Sequence, residues 1–102
     1  MSVMNITTTN SGTETELAFE GRLDTTTSPQ LEAELAKLPT EAKNITFDFT
    51  KLEYLSSAGL RVILSTHKKL TAAGGLLTVK NVNEVVMNVF NLTGFSDILH
   101  IA

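Results

Sequence analysis

The chain contains no cysteine, which excludes disulfides and thiolate metal sites. Histidine is scarce as well. His67 and His100 stand far apart among scattered carboxylates, and no group of residues has metal-ligand spacing. A basic excess is missing. Eight Lys and Arg face eleven Asp and Glu for a net charge of -3, and the longest basic run is Lys68-Lys69. A nucleic-acid binder would show a basic patch. No apolar run approaches the ~20 residues of a membrane span. The opening stretch, MSVMNITTTN, has no basic segment followed by an apolar run, so no secretion signal is expected and the expected compartment is the cytoplasm. In that setting the three N-x-T triplets at Asn5, Asn44 and Asn91 read as chance in a threonine-rich chain. Neither G-x-x-x-x-G-K-[ST] nor G-x-G-x-x-G occurs, and the AAGG at 72–75 does not replace them.

What remains is an ordinary globular composition. The chain has 102 residues, 42% of them hydrophobic and 19% charged, enough for one core and one domain spanning residues 1–102. Val3 and Ile6 suggest a first strand, followed by a polar turn, TTTNSGT. TELAFEG then places Leu17 and Phe19 on one face of a second strand. Ser28-Pro29 starts a helix with Ser28 as N-cap, or with a start at Thr26 or Thr27 instead. Leu31, Leu35 and Leu38 form its apolar stripe and Pro39 ends it. In NITFDF, Ile45, Phe47 and Phe49 alternate with Thr46 and Asp48, the clearest strand pattern in the chain.

AGLRVILSTHKKLTAAGG reads as a helix with Leu60, Ile63 and Leu64 on one face, stopped by Gly74-Gly75. LLTVK is a short strand, and NVNEVVMNVFNLTG a third helix, with Asn81 and Glu84 in a capping-box spacing and Gly94 past its end. DILHIA closes as a strand. Strand and helix alternate, which predicts an α/β fold with a parallel or mixed sheet.

The stretch YLSSAGLR, residues 54–61, places two serines at the start of the second helix. Three roles are open to them. A serine oxygen can cap the helix by accepting a first-turn amide, which stabilises it by about 1 kcal/mol. A nucleophile elbow, G-x-S-x-G, would make Ser57 catalytic, but Leu55 occupies the place of the first glycine. His67 lies ten residues further along the same helix, about 15 Å away at 1.5 Å per residue, and cannot reach back as a base. Both histidines read as structural, one a solvated helix residue and the other at a strand end. Glu14, Glu16, Glu32 and Glu34 read as solvated carboxylates. The third role is a phosphate acceptor at a contact surface. Gly59 fits that role, because glycine inside a first turn costs helix propensity of about 1 kcal/mol but allows close approach of another surface.

The segment ITFDFTKLEYLSSAGLRVIL resembles the signature of STAS domains, in particular the bacterial anti-sigma factor antagonists. In that pattern an apolar strand carries an aspartate, here Asp48. About six residues of loop follow, then an apolar residue and [DS]-S-x-G-L, here Leu55, Ser56, Ser57, Ala58, Gly59 and Leu60. FEGRLDTTTSPQLEAEL resembles the family's G-x-L-D turn into its first helix, with Gly21, Leu23 and Asp24, and NLTGFSDIL resembles its closing helix and last strand. The resemblance implies a mixed sheet of about four to five strands with three to four helices packed on it.

It also implies a partner-switching protein without enzymatic activity or cofactor of its own. The unmodified form would bind an anti-sigma factor that is also a serine kinase and carries its own ATP, releasing a sigma factor. Phosphorylation of Ser57 would end the complex, and a serine phosphatase would reset it. Ser56 fills a place where many relatives carry aspartate. The partner-binding surface implied is Asp24, Thr25, Ser56, Ser57, Ala58, Gly59, Leu60 and Arg61. Neither nucleic acid nor membrane is expected as a direct partner, and the expected state is a monomer or weak dimer. The alternative within the family is a STAS module serving as a scaffold or regulatory subunit of a transport or signalling complex, with no serine modified. A small hydrolase is the reading outside it.

Overall fold

A computed structural model describes residues 3–102. Met1 and Ser2, where the reading of the opening stretch begins, lie outside the described residues. The elements in chain order are β1 (Met4–Ser11), β2 (Glu14–Leu23), α1 (Ser28–Ala36), β3 (Asn44–Leu55), α2 (Ser57–Ala72), β4 (Leu76–Lys80) and α3 (Glu84–Thr93). A 3₁₀ turn (Phe95–Asp97) and β5 (His100–Ile101) follow. The five strands lie in sequence order in one sheet. β1 is antiparallel to β2, and each later neighbour is parallel.

Each parallel step is bridged by one helix. Right-handed crossovers between strands laid down in sequence order place every helix on the same face of the sheet. The burial pattern agrees. On β2, β3 and β4 the residues Leu17, Phe19, Phe47, Phe49, Leu77 and Val79 are buried, with Leu31, Ile63, Val86 and Phe90 supplied by the helices. Phe19 meets Phe47 and Phe49 edge-on, at 5.1 and 5.2 Å between ring centroids, a favoured aromatic geometry. The opposite face stays polar and half-exposed, with Glu16, Thr46, Asp48, Thr78 and Lys80. There Lys80 pairs with Glu16 at 2.7 Å. Parallel sheets covered on both faces read as continuous apolar runs. The alternation in β2 as far as Phe19, in β3 as far as Phe49 and in β4 belongs to a sheet covered once.

Several local expectations are corrected. The first strand runs through TTTNS to Ser11, and the turn is only Gly12-Thr13, with Gly12 at φ 68 in the positive-φ position of a tight hairpin. Threonine is β-branched and suits an exposed edge strand, where no alternation marks it. The six residues expected as loop before the serines are strand. β3 continues to Leu55 through two shifts of register against β2. Each shift inserts a residue, so the buried positions Phe49, Leu52 and Leu55 come three apart and hide the strand from an alternation test.

The N-cap of α1 is Thr27, the earlier start that the sequence left open beside Ser28, and that of α3 is Asn83 rather than Asn81. Asn81 instead takes φ 58 and donates its amide to Asp48. Gly94 caps the end of α3 in the left-handed conformation, as the sequence predicts. The closing strand shrinks to His100–Ile101 because Phe95–Asp97 coils first. His67 is half-buried, with Nδ1 unpartnered, and is not a solvated residue; His100 is exposed in β5.

Candidate functional site at the β3–α2 junction

β2 and β3 end side by side. Leu23 pairs with Leu55, and the Ser56 amide donates to the Leu23 carbonyl at 2.9 Å, extending the pairing by one residue. This places the turn after β2 next to the start of α2. Asp24 organises that turn. Its Oδ1 accepts the amides of Thr26 (3.0 Å) and Thr27 (3.2 Å), and its own amide donates to the Thr27 hydroxyl at 2.9 Å. Thr27 Oγ1 in turn donates to the Arg22 carbonyl at 2.7 Å, and Ser28 Oγ donates to the Asp24 carbonyl at 2.6 Å. The reciprocal pair fixes the start of α1 in the manner of a capping box. Asp24 is therefore a structural anchor as well as a half-buried acid at the site. Thr25 beside it is exposed.

Ser56 occupies the N-cap position with extended backbone, φ -99 and ψ 175, and its carbonyl accepts the Leu60 amide at 3.0 Å. Its side chain, however, caps nothing. Ser56 Oγ is buried with no hydrogen-bond partner. Ser57 is the first residue of the helix and is exposed. The two hydroxyls are thus unequal: one faces solvent, and the other is enclosed. No acidic side chain stands in the first turn of α2, so the positive end of the helix dipole is not offset by a neighbouring acid on its own element.

Gly59 and Leu60 face inward, at odds with the expectation that they form part of a partner-contacting surface. A Cβ on Gly59 would lie 2.7 Å from both Leu23 Cγ and Leu55 Cδ1. The surface that approaches this glycine closely is the chain's own strand ends. Ala58 is half-buried and Arg61 exposed. The expected residues that reach solvent are Asp24, Thr25, Ser57, Ala58 and Arg61, with Ser56 partly so.

Two residues that sequence reasoning passed over complete the surroundings. Arg22 lies over the ring of Tyr54 at 4.2 Å, and its Nε stands 3.9 Å from Asp24 Oδ2. Arg22 and Tyr54 occur within the GRLD and YLSS stretches, but only the register Arg22↔Tyr54 shows that they meet. Such a cation–aromatic stack presents an ordered, partly apolar surface beside Ser57's junction.

Asp48 serves elsewhere. Its Oδ1 accepts the Thr50 hydroxyl at 2.6 Å, the Thr50 amide at 3.0 Å and Asn81 Nδ2 at 2.9 Å. Burial works to raise its carboxyl. The hydrogen bonds from Thr50 and Asn81 and the charge of Lys80 outweigh that and hold it below the ordinary aspartate value. It pins the bulge of β3 to the β4–α3 loop. A shallow depression of about 250 Å³ on the open sheet face adjoins it, lined in part by Asn5, Thr7, Glu20 and Thr50.

The family model for the STAS domain matches residues 5–102. The chain belongs to the STAS domain family. Among its relatives is BtrV of Bordetella bronchiseptica, a candidate anti-sigma factor antagonist. It is 36% identical over 85 residues, covering 82% of this chain and 73% of BtrV. The anti-sigma-B factor antagonist of Bacillus subtilis is 25% identical over 99 residues, covering 97% of this chain and 91% of that protein. The fold of this STAS domain matches the anti-sigma factor antagonist SpoIIAA. Its unphosphorylated form superposes with a TM-score of 0.79 at 20% identity, covering 98% of this chain and 88% of that one. The phosphorylated form of the Bacillus protein gives 0.76 at 19% identity, with 96% and 91% covered. The mixed five-stranded sheet with three helices on one side is the STAS architecture expected from the sequence. Among the described residues, no helix is long and apolar enough to cross a membrane.

Proposed function

We propose that this STAS domain is an anti-sigma factor antagonist of the bacterial cytoplasm that works by exchanging partners and catalyses no reaction itself. In its unmodified form it binds an anti-sigma factor serine kinase and so releases a sigma factor. The kinase, with ATP in its own site, phosphorylates Ser57 and the complex separates. A serine phosphatase restores the binding form. The observation that carries this reading is the inequality of the two serines, with Ser57 exposed at the first position of α2 and Ser56 Oγ enclosed. A kinase needs an accessible hydroxyl, and only one of the pair offers it.

The contact surface in this reading is Ser57 with Asp24, Thr25, Ala58 and Arg61. Ser56, Gly59 and Leu60 shape it from beneath, and the Arg22–Tyr54 stack flanks it. A phosphoryl group on Ser57 adds about 1.5 to 2 negative charges at a helix N-terminus, where the dipole favours them by ~0.3–1 kcal/mol. The fold tolerates the modification, and the effect falls on the partner. Repulsion and desolvation at the contact need supply only a few kcal/mol, since about 1.4 kcal/mol is tenfold in affinity. That SpoIIAA keeps one fold in both forms, each similar to this chain, supports a switch by surface charge.

The experiment is phosphorylation by the anti-sigma kinase of the same cell, followed by peptide mapping. Phosphate on Ser57, with kinase binding lost in Ser57→Asp and kept in Ser57→Ala, is the expected result. Unchanged kinase binding in Ser57→Asp, or gross unfolding of the phosphorylated protein in a thermal melt, defeats the mechanism. Transporter components retained equally by wild type and Ser57→Asp would mark a scaffold module.

A further inference from the structure

The two edges of the sheet are built differently. β5 has only two residues, His100–Ile101, too few to template another strand. β1 has eight, MNITTTNS, with no charge, no proline and no bulge against β2. Those are the devices that usually keep an edge from pairing.

The Arg22 amide donates to the Val3 carbonyl at 3.2 Å. By alternation Asn5, Thr7 and Thr9 turn their backbone groups to β2, while Ile6, Thr8 and Asn10 turn theirs outward. α1 screens only part of this edge. Gln30 Nε2 donates to the Met4 carbonyl at 2.8 Å, and Glu34 accepts the Thr8 hydroxyl at 3.3 Å. The backbone left open is Ile6 to Asn10, centred on Thr8.

We propose that this edge is a homodimer interface, in which β1 pairs antiparallel with β1 of a second copy about a two-fold axis at Thr8. Thr8 then faces Thr8, Ile6 faces Asn10, and Thr7 faces Thr9. The occupant is a second copy because antiparallel pairing about a two-fold is self-complementary and the strand brings no like charges across the axis. Glu34, the nearest carboxylate on α1, is already paired with Lys37 at 3.2 Å. About six backbone hydrogen bonds form between the chains. Little apolar surface accompanies them, so the dimer is weak and concentration-dependent.

Sedimentation equilibrium from about 10 µM to about 1 mM tests it. The expected mass rises from the monomer's 11.0 kDa toward twice that value. Thr8→Pro removes an outward amide and leaves the β2 ladder untouched. Thr8→Lys sets like charges opposite each other on the axis. Both variants stay monomeric, and Thr8→Lys carries the test if Thr8→Pro does not fold. Because the chain has no cysteine, single thiols report the register cleanly: Thr7→Cys mixed with Thr9→Cys cross-links faster than either variant alone. A monomer at every concentration, a dimer that survives Thr8→Lys, or cross-linking without that preference overturns the proposal.

Discussion

At the β4–α3 junction, Asn83 accepts the Val86 amide at 2.8 Å and donates to the Leu52 carbonyl at 2.7 Å, so one side chain both caps the helix and ties it to β3. At the β3–α2 junction, Ser56 holds the same N-cap position and does neither, leaving its hydroxyl buried and unpartnered. Both residues are good caps by type. The first junction uses its polar side chain to hold the fold. The second is held by packing, through Gly59 against Leu23 and Leu55, and by the backbone bond from Ser56 to Leu23. Its exposed hydroxyl is left without a structural duty. A modification there has no cap to break.

Substitutions at the two junctions put this contrast to the test. Asn83→Ala has the largest expected effect, about 2–4 kcal/mol lost in denaturant unfolding, because it deletes a cap and strands a carbonyl. Gly59→Ala follows at about 1–3 kcal/mol, since its methyl must displace two packed leucine side chains. A Gly59→Ala protein as stable as wild type would show that α2 is not seated by that contact.

Asp48→Asn is expected to cost about 1 kcal/mol or less at neutral pH, its carboxylate being half-exposed. The folded carboxyl lies below its unfolded value, so the carboxylate's contribution is present above the unfolded value near pH 4 and is lost as pH falls through the folded one. The stability curves of wild type and Asp48→Asn therefore converge in acid. A difference that persists there would mean that the bulge, and not the charge, is what Asp48 holds. The smallest effect belongs to Ser56→Ala, within about 0.5 kcal/mol of wild type, because an unpartnered hydroxyl has no bond to lose. A loss near 1 kcal/mol would show that Ser56 caps α2 after all and would erase the difference between the junctions.

Much of the fold was legible in the sequence. Alternation in TELAF and NITFDF, the short strand LLTVK, helical spacing in α2, and Gly94 past α3 are local signals, and each held. The errors share a cause. β3 beyond Phe49, the true length of β1 and the cap of α3 all depend on a neighbouring strand or loop. The pattern of one segment carries no record of a bulge forced by its partner's register or of a side chain reaching Leu52 from Asn83. At the site, Asp24, Ser56 and Ser57 were legible from their motifs. Arg22 and Tyr54 were not, because they meet only through strand pairing.

By itself, the sequence determined the chemistry available to this protein. With no cysteine it excluded disulfides and thiolate metal sites, and it set a pair of serines before a helix. Its period-two and helical patterns also determined an α/β fold with a parallel or mixed sheet, because burial energy follows those periods. Tertiary structure decided which hydroxyl reaches solvent. The packing of α2 on the ends of β2 and β3 encloses Ser56 and exposes Ser57, and two adjacent serines of identical chemistry are distinguished only by which of them water, and another protein, can reach.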